Sequence, residues 1–141
     1  MSATPLVYPM AAMVLLTMVV LVRMFRARVG AVRSGQIDVS YYRLFQGADE
    51  PELNQKLSRN FVSLFEAPTV FYVVCLAAMA AGVGSIAMVV LAWAYVASRV
   101  AHSVIHLGAN RLRHRMRTYC LGWLVLLAMW SHLVISTALR G

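Results

Sequence analysis

Acidic residues are scarce in this chain: five Asp and Glu stand against thirteen Lys and Arg, for a formal net charge of +8. Charge of either sign is thin, at 13% of residues, while 61% are hydrophobic. A soluble domain of 141 residues could not hide that much apolar surface from water, whereas lipid can cover it. The excess of positive charge therefore suits anionic headgroups. It implies no nucleic-acid partner, which would need a water-exposed domain. Cysteine is nearly absent too. Cys75 and Cys120 fall in apolar stretches without metal-ligand spacing, so they read as small apolar side chains, not as a disulfide or a metal centre. No Cys/His cluster calls for a metal, and neither an internal repeat nor a low-complexity tract is present.

What the chain does have is long apolar runs. A membrane-spanning helix needs roughly 20 apolar residues. Pro5 to Val22 carries no charge, Ala67 to Ser98 carries none, and Thr118 to Leu139 holds only His132 as a basic group and no acid. The middle run is too long for one span, and Gly82-Val83-Gly84-Ser85 divides it by a tight turn. The reading is an all-α integral membrane protein: a four-transmembrane-helix bundle forming one domain over residues 1–141, with helices at about 5–25, 52–81, 85–108 and 115–139. The first run has no basic residue before it and no small-residue cleavage site after it, so it reads as a retained helix and not a signal peptide.

Arg23, Arg26, Arg28 and Arg33 follow the first span, and Arg111, Arg113, Arg115 and Arg117 fill the hairpin before the fourth. Alternation puts both groups on one side. The positive-inside rule makes that side cytoplasmic and both termini extracytoplasmic, as in a bacterial inner-membrane protein. The stretch from Arg23 to Gly47 reads as a largely interfacial loop, with Tyr41, Tyr42 and Phe45 at headgroup level. Asp49-Glu50-Pro51-Glu52 reads as the start of the second helix.

The informative residues are polar ones at membrane depth, because an ionisable group there is costly. Arg59, Ser63 and Glu66 share one face of the second span at i, i+4 and i+7. Arg99, His102 and His106 share one face of the third at i, i+3 and i+7, with Ser103 beside them, and Arg115 and Tyr119 open the fourth at i and i+4. At 1.5 Å per residue Glu66 lies roughly 10 Å and Arg99 roughly 12 Å below the same surface, so an ion pair between them is expected. Three such stripes predict a basic cavity with one carboxylate, suited to a small hydrophilic anion, with apolar walls for a lipophilic second ligand. The plainer alternatives are a buried pair that sets helix register, histidines that meet headgroups and arginines that only signal topology. His132 reads as a satisfied packing residue, and Trp93, Trp123 and Trp130 as packing and interface anchors.

The segment Arg59-Asn60-Phe61-Val62-Ser63-Leu64-Phe65-Glu66-Ala67-Pro68-Thr69-Val70-Phe71-Tyr72 resembles the second-helix signature of the MAPEG family, the membrane-associated proteins in eicosanoid and glutathione metabolism. Arg99-x-x-His102-x-x-x-His106, followed by Arg111, Arg115 and Tyr119, is similar in spacing to the pattern of its prostaglandin-E-synthase branch. The resemblance covers nearly the whole chain and looks like a bacterial-type branch. It implies a homotrimer, with glutathione bound between subunits near the cytoplasmic side. Arg59, Ser63, Glu66, Arg99, His102, His106 and Tyr119 would hold the peptide, some of them from the neighbour. Arg115 would be catalytic, stabilising the glutathione thiolate, and Arg23 or Arg26 would reach a glutathione carboxylate. Three positions depart from the pattern: Ser63 stands where Asn is usual, His106 where Tyr is usual, and one residue, not two, separates Glu66 from Pro68. The implied activity is a glutathione-dependent transferase or peroxidase on lipophilic electrophiles or hydroperoxides in contact with membrane lipids. The alternatives are a non-catalytic lipid-binding or scaffold protein of the same fold and, third, a small transporter with Glu66 as the coupling carboxylate.

Overall fold

A computed structural model describes residues 4–47, 49–108 and 111–140. After a single 3-10 turn at Thr4–Leu6, five α-helices follow: α1 Val7–Arg33, α2 Tyr41–Leu44, α3 Glu52–Ala80, α4 Ile86–Leu107 and α5 Leu112–Ala138. Four of them are long and apolar enough to cross a membrane, and α2 is a single turn between the first two. The chain is an all-helical integral membrane protein, as its composition predicts.

One spacing recurs on each long helix. Buried positions fall at Pro9, Met13, Val20, Met24 and Ala31 of α1 and at Leu57, Leu64, Ala67, Phe71, Val74 and Ala78 of α3. On α4 they fall at Met88, Ala92, Tyr95, Arg99, His102 and His106, and on α5 at Gly122, Leu126, Met129 and Leu133. Steps of three and four residues keep one seam of each helix facing its partners, as in coiled-coil-like bundles. The opposite faces leave Leu15, Phe25, Val104, Leu124 and Leu127 exposed, where lipid replaces water as solvent. Within the bundle α4 packs chiefly against α5, and α1 against α3.

The first helix is longer than the expected 5–25. It stays helical to Arg33, because nothing in Arg23–Arg33 breaks a helix and the stop comes only at Ser34-Gly35. Gly35 takes φ 72°, and the Gln36 and Gly35 amides cap the Ala31 and Val32 carbonyls. The arginines thus lie within the helix and do not mark its end, and the loop between the first two spans shrinks to the segment around α2.

The expected turn at Gly82–Ser85 closes the same way. Gly82 takes φ 64°, the Val83 amide reaches the Ala78 carbonyl at 2.8 Å, and buried Val83 seals the end of α3. Ser85 then caps α4 by accepting from the Met88 amide at 3.1 Å. The same hydroxyl lies 2.8 Å from His132 Nε2, and Arg140 donates to the Gly82 carbonyl at 2.9 Å. His132 is therefore a hydrogen-bonded packing residue that fastens α5 to this turn.

Close packing of α4 on α5 depends on Gly122. A Cβ there would come within 2.6 Å of Arg99 Nη2 and 3.2 Å of Ser98 Oγ. We expect Gly122→Ala to lower stability in detergent by about 1–3 kcal/mol, the usual cost of overpacking. Thermal melting checks this, with the same change made in an Arg99→Met background. An equal loss in both backgrounds would show that contact with the guanidinium is not the cause.

Candidate functional site

The seam of α4 changes character halfway. Its first half, Met88, Ala92 and Tyr95, packs the apolar core, while its second half, Arg99, His102 and His106, is polar at the same spacing. Because the stripe is continuous, the packing that builds the bundle also aims the polar residues inward. There they meet Arg59, Ser63 and Glu66 from α3 and Arg115, Met116 and Tyr119 from α5 around one half-open cavity of about 270 Å³. Of the eight expected site residues, seven line this cavity.

Arg99 is the exception. It is 1% exposed and lies one layer below, with its guanidinium carbon 5.4 Å from the Tyr119 ring centre and 5.6 Å from that of Tyr95. Tyr95 in turn stacks on Phe71, with ring centres 4.6 Å apart. None of the three guanidinium nitrogens has a hydrogen-bond partner among the described residues, so the aromatic faces and the Gly122 gap are what accommodate the cation. The expected Arg99–Glu66 ion pair does not form. Glu66 is exposed at the cavity wall, and the ion pairs among the described residues are Arg28–Glu50 and Lys56–Glu52. Arg99 turns toward α5, where it meets Gly122 and Tyr119, not toward α3.

Hydrogen bonds fix the two histidines differently. Thr118 Oγ1 lies 3.0 Å from the Arg115 carbonyl and 3.1 Å from that of His114, so its proton is committed to the backbone. Its oxygen is then left to accept from His102 Nδ1, 3.2 Å away, which places hydrogen on Nδ1. His106 Nδ1 lies 3.3 Å from Arg115 Nη1, a group that can only donate, so this ring accepts at Nδ1 and carries its hydrogen on Nε2. One imidazole therefore keeps a lone pair on Nε2 and the other a donor there.

Two contributors escaped the stripe analysis. Thr118 sits at the head of α5, where its hydroxyl reads as ordinary helix polarity. Asn60 is fully buried on the apolar seam of α3, accepting from Ser103 Oγ at 3.2 Å, while its carbonyl takes the Ser63 hydroxyl at 2.8 Å. A polar residue at a seam position was the available signal for Asn60.

At the basic end Arg28 serves as more than a topology signal. It donates to Ser58 Oγ at 2.9 Å, lies 3.5 Å from Glu50 Oε1, and covers the Tyr42 and Phe45 rings at 5.3 and 5.4 Å. Asn54 Nδ2 donates to the Tyr42 hydroxyl at 3.3 Å, so α1, α2 and the start of α3 are clasped together. Burial, the largest cause, and the nearby Glu50 push the Tyr42 phenol above its ordinary range.

Thr118→Val should loosen the His102 ring, leaving the Arg115 carbonyl to hold it. Nitrogen-resolved NMR of labelled histidine reads this directly, and His102 ring resonances unchanged in the variant would mean that Thr118 does not orient the ring.

Among the described residues no group of three or more His, Cys, Asp or Glu is placed to hold a metal. No curated protein and no solved structure matches the chain. The sequence model of the MAPEG family matches residues 6–135, nearly its whole length. Helix count, apolar spans and family match agree, and the chain belongs to the MAPEG family.

Proposed function

We propose that this protein is a membrane-embedded glutathione-dependent transferase or peroxidase acting on lipophilic electrophiles or hydroperoxides. The observation that carries the reading is the gathering of Arg59, Ser63, Glu66, His102, His106, Arg115 and Tyr119 around a single cavity. Such a donor set fits the charged groups of the tripeptide: guanidinium for carboxylate and the Glu66 carboxylate for the α-ammonium. The cavity falls below the ~300–1,000 Å³ usual for small-molecule sites, and it is half-open. A neighbouring subunit would complete it, in keeping with a homotrimer, and Arg23 or Arg26 would come from that neighbour. The basic end would face the cytoplasm, by the positive-inside rule.

Bound there, glutathione would supply a sulfur nucleophile. A thiol with a pKa of about 8.5 is mostly protonated at neutral pH. Arg115 stays charged throughout and would favour the thiolate beside it. His106 would hold Arg115 in place through the 3.3 Å contact, and the thiol proton would leave to water through the half-open mouth of the cavity. Arg99, beneath Tyr119, would add positive field to the cavity floor without touching the ligand.

Calorimetry of purified protein with glutathione, followed by the thiolate absorbance difference, tests this. We expect saturable binding and a thiolate signal lost in Arg115→Ala, with conjugation of a model electrophile falling about a hundredfold, the scale of losing one charge-stabilising donor. Conjugation by Arg115→Ala at the wild-type rate would end the thiolate role. Absence of binding at millimolar glutathione would move the assignment to lipid binding on the same fold.

A further inference from the structure

A second cavity lies away from the site, where α1 leaves the membrane. Phe25, Val29 and Val32, at i, i+4 and i+7 on α1, face Tyr42 and Phe45 across a groove of about 490 Å³. Arg28 and Arg33 stand at its edge. Phe45 adopts φ 55°, the one left-handed non-glycine residue among those described, and its ring lies under the Arg28 guanidinium.

Depth gives the groove its meaning. α1 has 27 residues, about 40 Å of helix against roughly 30 Å of hydrocarbon, and it carries no charge before Arg23. Phe25 therefore lies near the edge of the hydrocarbon. Arg33 lies about 12 Å further along the axis, and its long side chain, tilted back toward the helix N-terminus, reaches headgroup level. The groove thus runs from apolar to cationic along the membrane normal, the same polarity gradient as a phospholipid. Its surroundings favour an anionic one. Arg28 and Arg33 line it, and basic residues beside a membrane helix attract anionic lipid. Among the nearby acids, Glu50 is held by Arg28, and the Asp38 carboxylate accepts from the Ser40 amide at 2.8 Å, while Asp49 is exposed.

We infer that this groove binds one anionic phospholipid of the surrounding bilayer, its acyl chain entering at Phe25, its glycerol backbone beside Val29 and its phosphate at Arg33. The site is separate from the Arg115 cavity and does not depend on glutathione use.

Native mass spectrometry of the full chain in mild detergent, with equimolar phosphatidylglycerol and phosphatidylcholine of matched chains, provides the test. The first lipid retained per protomer should favour phosphatidylglycerol about fivefold, what ~1 kcal/mol from one arginine at the surface yields. Arg33→Gln should bring that ratio close to one. Arg26→Gln, at an exposed arginine outside the groove, should leave it unchanged. Val29→Trp should fill the groove and lower retention of the first lipid, with thermal melting checking the fold. An Arg33→Gln ratio still near the wild-type value, or an equal fall in Arg26→Gln, would overturn the site in favour of none or of diffuse attraction. Each follows from the two arginine variants alone, whatever becomes of Val29→Trp.

Discussion

A membrane offers no water to a polar side chain, so every such group must find its partners inside the protein or at an edge. In this bundle the constraint is met by one line of residues on α4. Met88, Ala92 and Tyr95 continue into Arg99, His102 and His106 without a change of spacing. The orientation of the polar half is therefore fixed by the packing of the apolar half. The inward face of α3 and the head of α5 then have to supply matching groups, and Asn60, Arg115, Thr118 and Tyr119 do so.

Arg99 shows how far the arrangement departs from simple charge pairing. A buried guanidinium is ordinarily matched with a carboxylate, because removing its solvation costs several kcal/mol. Here the cation lies between two phenol rings, against a glycine, and the bundle's exposed carboxylate, Glu66, stays at the cavity wall. Among the described residues, apart from the Arg28–Glu50 clasp, the buried side-chain atoms without partners belong to Asn60, Tyr95 and Arg99, all on the seams of α3 and α4.

Much of this was legible in the sequence, for a physical reason: apolar run length and charge placement are one-dimensional quantities. The four spans, the Gly82 turn and the three polar stripes needed only periodicity. Which neighbour each stripe would face did not follow, since Arg99 could turn to α3 or α5 at equal depth. On α5 it lies against Gly122, where a Cβ would leave it no room. The end of α1 was also hidden, because the arginines that end a membrane span are good helix formers. The Arg28–Glu50 clasp joins residues in two segments that periodicity treats separately, and the part played by Thr118 depends on proton placement, which no spacing encodes.

Arg99, His102, His106, Arg115 and Tyr119 all come from a single helical hairpin, the pair of helices that pack most closely. Contacts so near in sequence close early and quickly when a chain folds. The histidine tautomers and the Arg99 aromatic sandwich would thus be set by the last two helices before α1 and α3 are fully docked. Divergence within this architecture could then proceed in two independent halves. The hairpin could keep its histidines and arginines intact while residues such as Arg59, Ser63 and Glu66 on α3 vary, so that the cavity changes on one wall only.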